Sequence, residues 1–547
     1  MMKKLISTQS KKNTEKVRKR LQGTCVVINI PGEMSGEVTC AEALQLGFRL
    51  LAMSKPDEAL VVAEALLAKI DDIVDIYLLK ARALLDFEAL GELKELIDPL
   101  VAAAPSNRGV LMVAARYYYL LGQASKSLML AKKAAANDSR NVESLLHMEL
   151  CYRYSGSTDK SFKILERCLQ IAGPKHKNND ERFQQFSAAL FRLANHTLLT
   201  SERLAELEDI YLGSDDPLLK TQTAYALASQ AAKRKDQRAE VEYLLVANAA
   251  ECRMLGLESS ALSPLKNSYE NKYAVLTRCF DSSKPAWFPD TITANHAPVF
   301  VLGLPRSGTT LLEQMLGGHS SVGQVGESKA FLSALRRACR KINPLWNYAD
   351  YPNDVERLSP EALQGIVNNC ELHQSLLTEK IIYIDKELSN FQYVGLMALL
   401  FPKAKFIHMD RAPMDIFLSC FRNSIAGVPE TANLKAIAEY YCYMKQLVGH
   451  WRSIFQDRLL IINYQSLVHE PEKFARQAAD FIGIEFEPAM LDFHQRKNIV
   501  RTLSVDQVRR KIYTSSIEGW RAYSEVLEPA REVLEKNNIP LEGVAFL

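Results

Sequence analysis

From residue 303 to residue 310 the chain reads Gly-Leu-Pro-Arg-Ser-Gly-Thr-Thr. Gly303 and Gly308 permit tight backbone geometry and the close approach of an anion. Backbone N–H groups from 306 to 310 can converge on a phosphate at a helix N-terminus. Ser307, Thr309 and Thr310 add hydroxyl donors, and Arg306 adds a guanidinium fork suited to phosphate or sulfate oxygens. The spacing is that of the nucleotide-binding loop G-x-x-x-x-G-K-[ST], with Thr309 standing where the lysine belongs. That lysine serves the β- and γ-phosphates, so its loss weighs against an ATPase. One counter-signal keeps an ATP- or GTP-dependent enzyme as an alternative. Residues 405–411, Lys-Phe-Ile-His-Met-Asp-Arg, form an apolar strand that puts Asp410 where a magnesium-binding aspartate would stand.

The elements around the loop are those needed to position it. Val299 to Leu302 form a short apolar run that enters the loop, and an amphipathic helix follows. Further strands are expected at 381–385, 404–409 and 459–462, with helices between them. Alternation of this kind implies a parallel sheet covered by helices on both faces. In such sheets the ligand lies at the carboxyl ends of the strands, which is where the loop at 303 begins.

The first half has a different plan. Ser54, Glu88, Gly122 and Gly156 recur every 34 residues, each between two helical patterns. Five residues beyond them stand Ala59, Leu93, Ser127 and Ser161, and Asp71, Pro105 and Ser139 suit a second turn. A helix-turn-helix unit of this period resembles the tetratricopeptide repeat. Neighbouring pairs must stack, because one pair cannot bury its apolar face alone. Repeats are read from 38 to 172; after a polar break at 173–182, two degenerate or capping pairs follow near 183–213 and 217–257, then a connecting helix near 263–280. The expected organisation is a basic tail (1–37), an α-solenoid (38–260), a connecting helix and linker (261–295) and an α/β domain (296–547). The solenoid is expected either to hold a protein or peptide on its concave face or to serve as a scaffold or dimer surface.

Composition narrows the class. The chain has 547 residues, 48% apolar and 24% charged, with a net charge of +3. That balance gives no basic footprint for nucleic acid. Its ten cysteines are scattered without a C-x-x-C pair, as expected for reduced thiols in a cytoplasmic protein rather than a disulfide frame or zinc site. No run of 18 apolar residues suits a membrane span, and the basic N-terminus lacks the apolar region of a secretory signal.

PRSGTTLLEQML, then Val325-Gly326-Glu327, then FPKAKFIHMDRAPMDIFLS at 401–419 resemble the sulfotransferases that use 3′-phosphoadenosine 5′-phosphosulfate (PAPS). More specifically, the chain resembles bacterial tetratricopeptide-repeat sulfotransferases, whose catalytic domain is similar to tyrosylprotein sulfotransferases. The resemblance covers 296–547 by motif and the front half by architecture. It implies that Arg306, Ser307, Gly308, Thr309 and Thr310 grip the 5′-phosphosulfate without a metal, and that Arg411 and Ser419 hold the 3′-phosphate. Arg422 is a weaker candidate, since the family's third basic position falls at Asn423. A plain surface ion pair is the other reading of Arg411.

Sulfuryl transfer resembles phosphoryl transfer: a nucleophile attacks sulfur in line with the departing oxygen, and the protein positions groups and neutralises charge. Glu327 matches the family's general base, with His319 and His408 as rivals. Lys386 matches the lysine that stabilises the leaving oxygen, a solvated loop lysine being its plainer reading; Asp385 either orients it or caps the strand end. Ser504 matches a serine touching the phosphosulfate. Arg510 takes a family lysine position in the run Arg509-Arg510-Lys511, and Tyr464 matches a tyrosine touching the cofactor. A core tyrosine is the other reading of Tyr464, and Trp520 is expected to pack the C-terminal helix. The usual Arg-Asp-Pro is here Arg411-Ala412-Pro413, with Asp415 later, which removes a loop-capping carboxylate. A non-catalytic repeat scaffold is the third hypothesis. The acceptor class stays open between protein tyrosine, glycan, lipid and small phenol, as does homo-oligomerisation.

Overall fold

The computed structural model describes residues 12–30, 34–173, 181–282, 284–496, 512 and 517–542. In chain order, α1 (Lys12–Gly23) precedes the antiparallel hairpin β1 (Cys25–Ile30) and β2 (Met34–Thr39). Seven helices follow: α2 (Cys40–Ala52), α3 (Pro56–Lys69), α4 (Val74–Asp86), α5 (Leu90–Ala103), α6 (Arg108–Leu120), α7 (Ala124–Asn137) and α8 (Val142–Tyr154). Six more complete the first half: α9 (Thr158–Ala172), α10 (Glu181–His196), α11 (Ser201–Gly213), α12 (Pro217–Lys233), α13 (Gln237–Leu255) and α14 (Ser259–Cys279).

The 34-residue period is a period of backbone handedness. Ser54, Glu88, Gly122 and Gly156 all have left-handed φ, at 57°, 52°, 72° and 78°. Each makes the tight turn between the two helices of a pair. Only glycine enters that region freely, so Ser54 and Glu88 carry local strain for the sake of the turn. Ala59, Leu93, Ser127 and Ser161 are all buried. Asn107 and Asn141, again 34 apart, cap α6 and α8 by accepting the N–H groups of Val110 and Ser144. Thr39 and Glu42 form a reciprocal capping box at the start of α2.

The second half alternates strand and helix. It runs β3 (Ala297–Leu302), α15 (Thr309–Leu316), β4 (Val322–Gly326), α16 (Ala330–Arg340), α17 (Pro360–Leu377), β5 (Ile382–Asp385), α18 (Val394–Leu400) and β6 (Lys405–Asp410). Then come α19 (Pro413–Phe421), α20 (Leu434–Ile454), β7 (Leu459–Asn463), α21 (Tyr464–His469), α22 (Pro471–Ile482) and α23 (Glu528–Lys536). The five strands form one sheet in the order β4-β5-β3-β6-β7, all parallel. β3 is fully apolar and central, flanked in register by β5 and β6, as a strand buried on both faces should be.

The molecule divides into two compact units that do not follow chain order: Met1–Ser157, Thr291–Thr293 and Ser328–Glu379 form one, and Thr158–Asp290, Ala294–Glu327 and Lys380–Leu547 form the other. In the first, α16 and α17 pack on the early repeats. Arg336 and Arg340 pair with Asp57 of α3 at 2.5 and 3.2 Å, Arg337 pairs with Glu92 of α5, and the Leu372 side chain lies over Gly91. The second unit contains α9–α14 and the whole sheet.

Three strands differ from expectation. Within the segment read as a basic tail, β1 pairs with β2 and buries Val26, Ile28 and Ile30. The burial of β1 alternates with the two-residue period of a half-buried strand. β4 was not expected, since two glycines in five residues weaken its strand pattern; parallel pairing with β5 holds it.

Candidate active site

Every strand of the parallel sheet delivers a candidate residue one step past its carboxyl end. β3 ends at Leu302 and opens the loop at Gly303; β4, β5, β6 and β7 are followed by Glu327, Lys386, Arg411 and Tyr464. This is the edge at which open α/β sheets bind ligands. All of these residues lie in the second compact unit.

The loop is shaped by backbone constraints. Gly303 has φ of 153° and Gly308 has φ of 101°. A Cβ on Gly303 would stand 2.6 Å from Ser307 Oγ, and one on Gly308 only 2.3 Å from the Tyr464 ring. Arg306 is left-handed at φ 69°, a conformation uncommon outside glycine and concentrated at functional sites. The Arg411 guanidinium donates to the Arg306 carbonyl at 2.8 Å and stacks 4.4 Å above the Tyr464 ring. Arg306 Nε donates to Ser419 Oγ at 2.9 Å. Arg306, Gly308, Arg411, Ser419 and Tyr464 therefore form one connected group. Arg411 is 7% exposed, so it is no surface ion pair.

Ser307 is fully buried, and its Oγ has no hydrogen-bond partner among the described residues. Buried hydroxyls without a partner are rare in folded proteins. Beside two arginines and a helix N-terminus, such a hydroxyl suits an anionic oxygen. The donor set fits a phosphosulfate: hydroxyls, guanidinium groups and a glycine cradle, with no carboxylate in the loop itself.

The second group surrounds Lys386, which is 2% exposed and so is no solvated loop lysine. Its Nζ donates to Glu327 and lies 4.0 Å from a Glu313 oxygen; its backbone N–H donates to the Gly326 carbonyl at 2.9 Å, tying β5's end to β4's. Burial alone would push the ammonium down, but Glu313 and then Glu327 outweigh it and hold the group above the ordinary lysine value. Burial pushes Asp385 up to about 8, although its carboxylate accepts the Glu387 N–H and the Asn390 amide, each at 3.0 Å. Burial also raises Glu387.

The rival bases are occupied otherwise. His408 lies inside β6, fully buried, and burial pushes its imidazole down to about 3. His319 accepts the Ser321 N–H and meets the Glu485 carbonyl at 2.9 Å, which makes it a loop clasp. Asp410 pairs with Lys445 at 3.2 Å. Arg422 pairs with Glu240 of α13 at 2.7 Å and stacks on Tyr523. Asp415 accepts the N–H groups of Glu518 and Trp520, at 2.9 and 3.3 Å, and anchors the segment before α23. Ser504, Arg509, Arg510 and Lys511 lie outside the described residues.

Two charged residues escape the sequence reading. Glu313 looks like the polar position of the amphipathic helix Leu-Leu-Glu-Gln-Met-Leu, yet it is 4% exposed. Arg496 follows a short turn and acts electrostatically on Glu313. Nothing local marks either residue: Glu313 stands beside Gln314 as a polar position of its helix, and its burial comes from segments distant in the chain.

Residues 298–488 match the family model described as "Sulfotransferase family", so the second half contains a sulfotransferase-family domain. An uncharacterized protein of Aquifex aeolicus (strain VF5) is 34% identical over 258 residues, 45% of this chain and 33% of that protein. Protein-tyrosine sulfotransferase A of Caenorhabditis elegans is 24% identical over 225 residues, 39% of this chain and 56% of that protein. The chain thus spans a third to about half of these relatives' lengths. Among solved structures, the sulfotransferase domain of the Synechococcus PCC 7002 olefin synthase is 23% identical, with 47% of this chain and 100% of that chain covered at a TM-score of 0.33. Among the described residues, no helix is long and apolar enough to cross a membrane.

Proposed function

We propose that the protein transfers a sulfuryl group from PAPS to a hydroxyl acceptor, with a peptide or protein tyrosine as the acceptor class. The observation that carries this reading is the five-strand edge, where a glycine loop, a carboxylate, a lysine, an arginine and a tyrosine meet at successive carboxyl ends. Similarity to protein-tyrosine sulfotransferases supports the tyrosine class.

PAPS would supply a sulfuryl group joined to a good phosphate leaving oxygen. Ser307, Thr309, Thr310 and Arg306 would hold the phosphosulfate, and Arg411 and Ser419 the 3′-phosphate, with Tyr464 fixing both the Arg411 guanidinium and the loop at Gly308. Ser504 remains a candidate contact to the phosphosulfate, and Arg510 a candidate contact to the 3′-phosphate. Glu327 takes the proton from the acceptor hydroxyl as the new oxygen–sulfur bond forms. Lys386 neutralises the oxygen that receives the electron pair of the breaking sulfur–oxygen bond, which leaves adenosine 3′,5′-bisphosphate. The first-half repeats are proposed to hold the acceptor.

Calorimetric titration with adenosine 3′,5′-bisphosphate in EDTA, with ATP in parallel, tests the nucleotide. Tight metal-free binding that is lost in Arg411→Ala supports the reading. Preference for ATP with Mg²⁺, or no binding, would return the loop to the nucleoside-triphosphate alternative. Transfer from labelled PAPS to tyrosine peptides then tests the acceptor.

A further inference from the structure

We infer that Glu313 is a positioning residue for Lys386, the permanent counter-ion that lets the lysine exchange Glu327 for the leaving oxygen. The inference rests on the sulfuryl-transfer reading. It starts from a conflict inside that reading. Lys386 is bonded to Glu327, yet the two residues have separate tasks. A carboxylate held by an ammonium is a poor base, and an ammonium held by a carboxylate cannot neutralise another oxygen. The pair must open for the reaction to proceed.

Opening it in isolation would be prohibitive. Lys386 is 2% exposed, and a buried charge stripped of its only partner is strongly destabilising. Glu313 removes the difficulty. It projects from α15, the helix that begins at the phosphate loop, and its carboxylate lies 4.0 Å from Nζ. That is close enough to hold the ammonium's charge, and too long to fix its hydrogens in one direction. Lys386 can therefore swing from Glu327 toward an oxygen bound at the loop and stay charged throughout. Glu313 travels with the loop helix, so the counter-ion and the anion site move as one piece.

The charges around Nζ complete the account. Glu313, Glu327 and Glu387 act on Lys386, Asp385 precedes it in the chain, and Arg496 and Glu313 attract each other. Glu313 and Glu327 together hold the lysine charged against the cost of burial.

The test compares wild type, Glu313→Gln and Glu313→Asp. With labelled PAPS and a tyrosine peptide, kcat of Glu313→Gln is expected to fall about 10- to 100-fold with KM little changed. The alkaline limb of its pH–rate profile should move to lower pH, and Glu313→Asp should recover part of both. Bisphosphate affinity should stay within about threefold of wild type. A second readout needs no turnover. With Glu313 gone, the folded-state lysine loses one of the attractions that hold its proton and titrates lower than in the wild type. The missing counter-ion costs the variant most while the lysine is charged, and less once the folded lysine has given up its proton. The thermal-midpoint gap between wild type and Glu313→Gln should therefore shrink as pH rises through the alkaline range in which the lysine titrates. A gap that is constant with pH would mark Glu313 as packing alone and overturn the inference. So would a variant with wild-type kcat and an unmoved alkaline limb. Wild type that binds no bisphosphate and transfers no sulfuryl group would instead sink the functional reading, and the thermal series would still decide the Glu313–Lys386 coupling.

Discussion

Gly308→Ala should weaken bisphosphate binding far more than the volume of one added methyl group would imply. At φ 101° the residue sits where side chains rarely go; holding alanine there costs about 1–3 kcal/mol. The new Cβ would stand 2.3 Å from the Tyr464 ring. The ring must therefore retreat by about 1.2–1.7 Å to reach ordinary carbon–carbon contact. Arg411 stacks on that ring at 4.4 Å and donates to the Arg306 carbonyl, so the retreat loosens both arginines of the anion site. The chain can escape by relaxing the loop, and binding must then restore it. A combined cost of about 2–3 kcal/mol corresponds to roughly 30- to 150-fold in Kd. Calorimetry with adenosine 3′,5′-bisphosphate measures it. Gly365→Ala is the control, since nothing lies within 4 Å of a Cβ there. Adding Tyr464→Ala separates the two terms: the double variant keeps the backbone cost and loses the collision. Wild-type affinity in Gly308→Ala would refute the geometry on which the site rests.

Three more outcomes are expected. Glu327→Gln should keep bisphosphate affinity within a few-fold and lower kcat by about 10²- to 10⁴-fold, as for loss of a general base; unchanged turnover would move the base elsewhere. Asp385→Asn keeps an acceptor for the Glu387 N–H and the Asn390 amide. In the wild type the folded-state carboxyl titrates near 8, above its unfolded value, so folded stability is lost as pH rises from about 4 toward 8. The variant lacks that loss, and its thermal midpoint relative to wild type should climb between pH 5 and pH 8; a flat difference would mean the carboxyl is ionised throughout. Asp57→Ala removes the carboxylate shared by Arg336 and Arg340 and should cost about 3 kcal/mol. Hydrogen exchange should quicken in α3 and α16 and stay unchanged in β3–β7; protected α16 amides would count against the pairing.

Short-range patterns could be read directly. The left-handed turns at Ser54, Glu88, Gly122 and Gly156 recur at a fixed interval because each repeat solves the same local problem. β3, β5, β6 and β7 were visible as apolar runs between turns, and the loop as glycines at a familiar spacing. What stayed hidden depends on partners far away in the chain. β4 holds two glycines and becomes a strand only beside β5. Glu313 looks like a solvent position until Lys386, brought by another strand, closes over it. Tyr464 could be read as a cofactor contact or a core tyrosine; it fills the space that Gly308 leaves empty, a complementarity that neither residue reveals alone.

The stretch from Ser328 to Glu379 leaves the sheet just after Glu327 and returns six residues before Lys386 is reached from Lys380, and it belongs to the same compact body as the first repeats. A shortened chain beginning at residue 296 would strip Arg336, Arg337 and Arg340 of Asp57, Glu58 and Glu92, and would uncover Leu372. The same bond between distant segments restricts inheritance. A repeat array exchanged between two such proteins would arrive without the arginine face it evolved against, so α3, α5, α16 and α17 are expected to travel through lineages as one set.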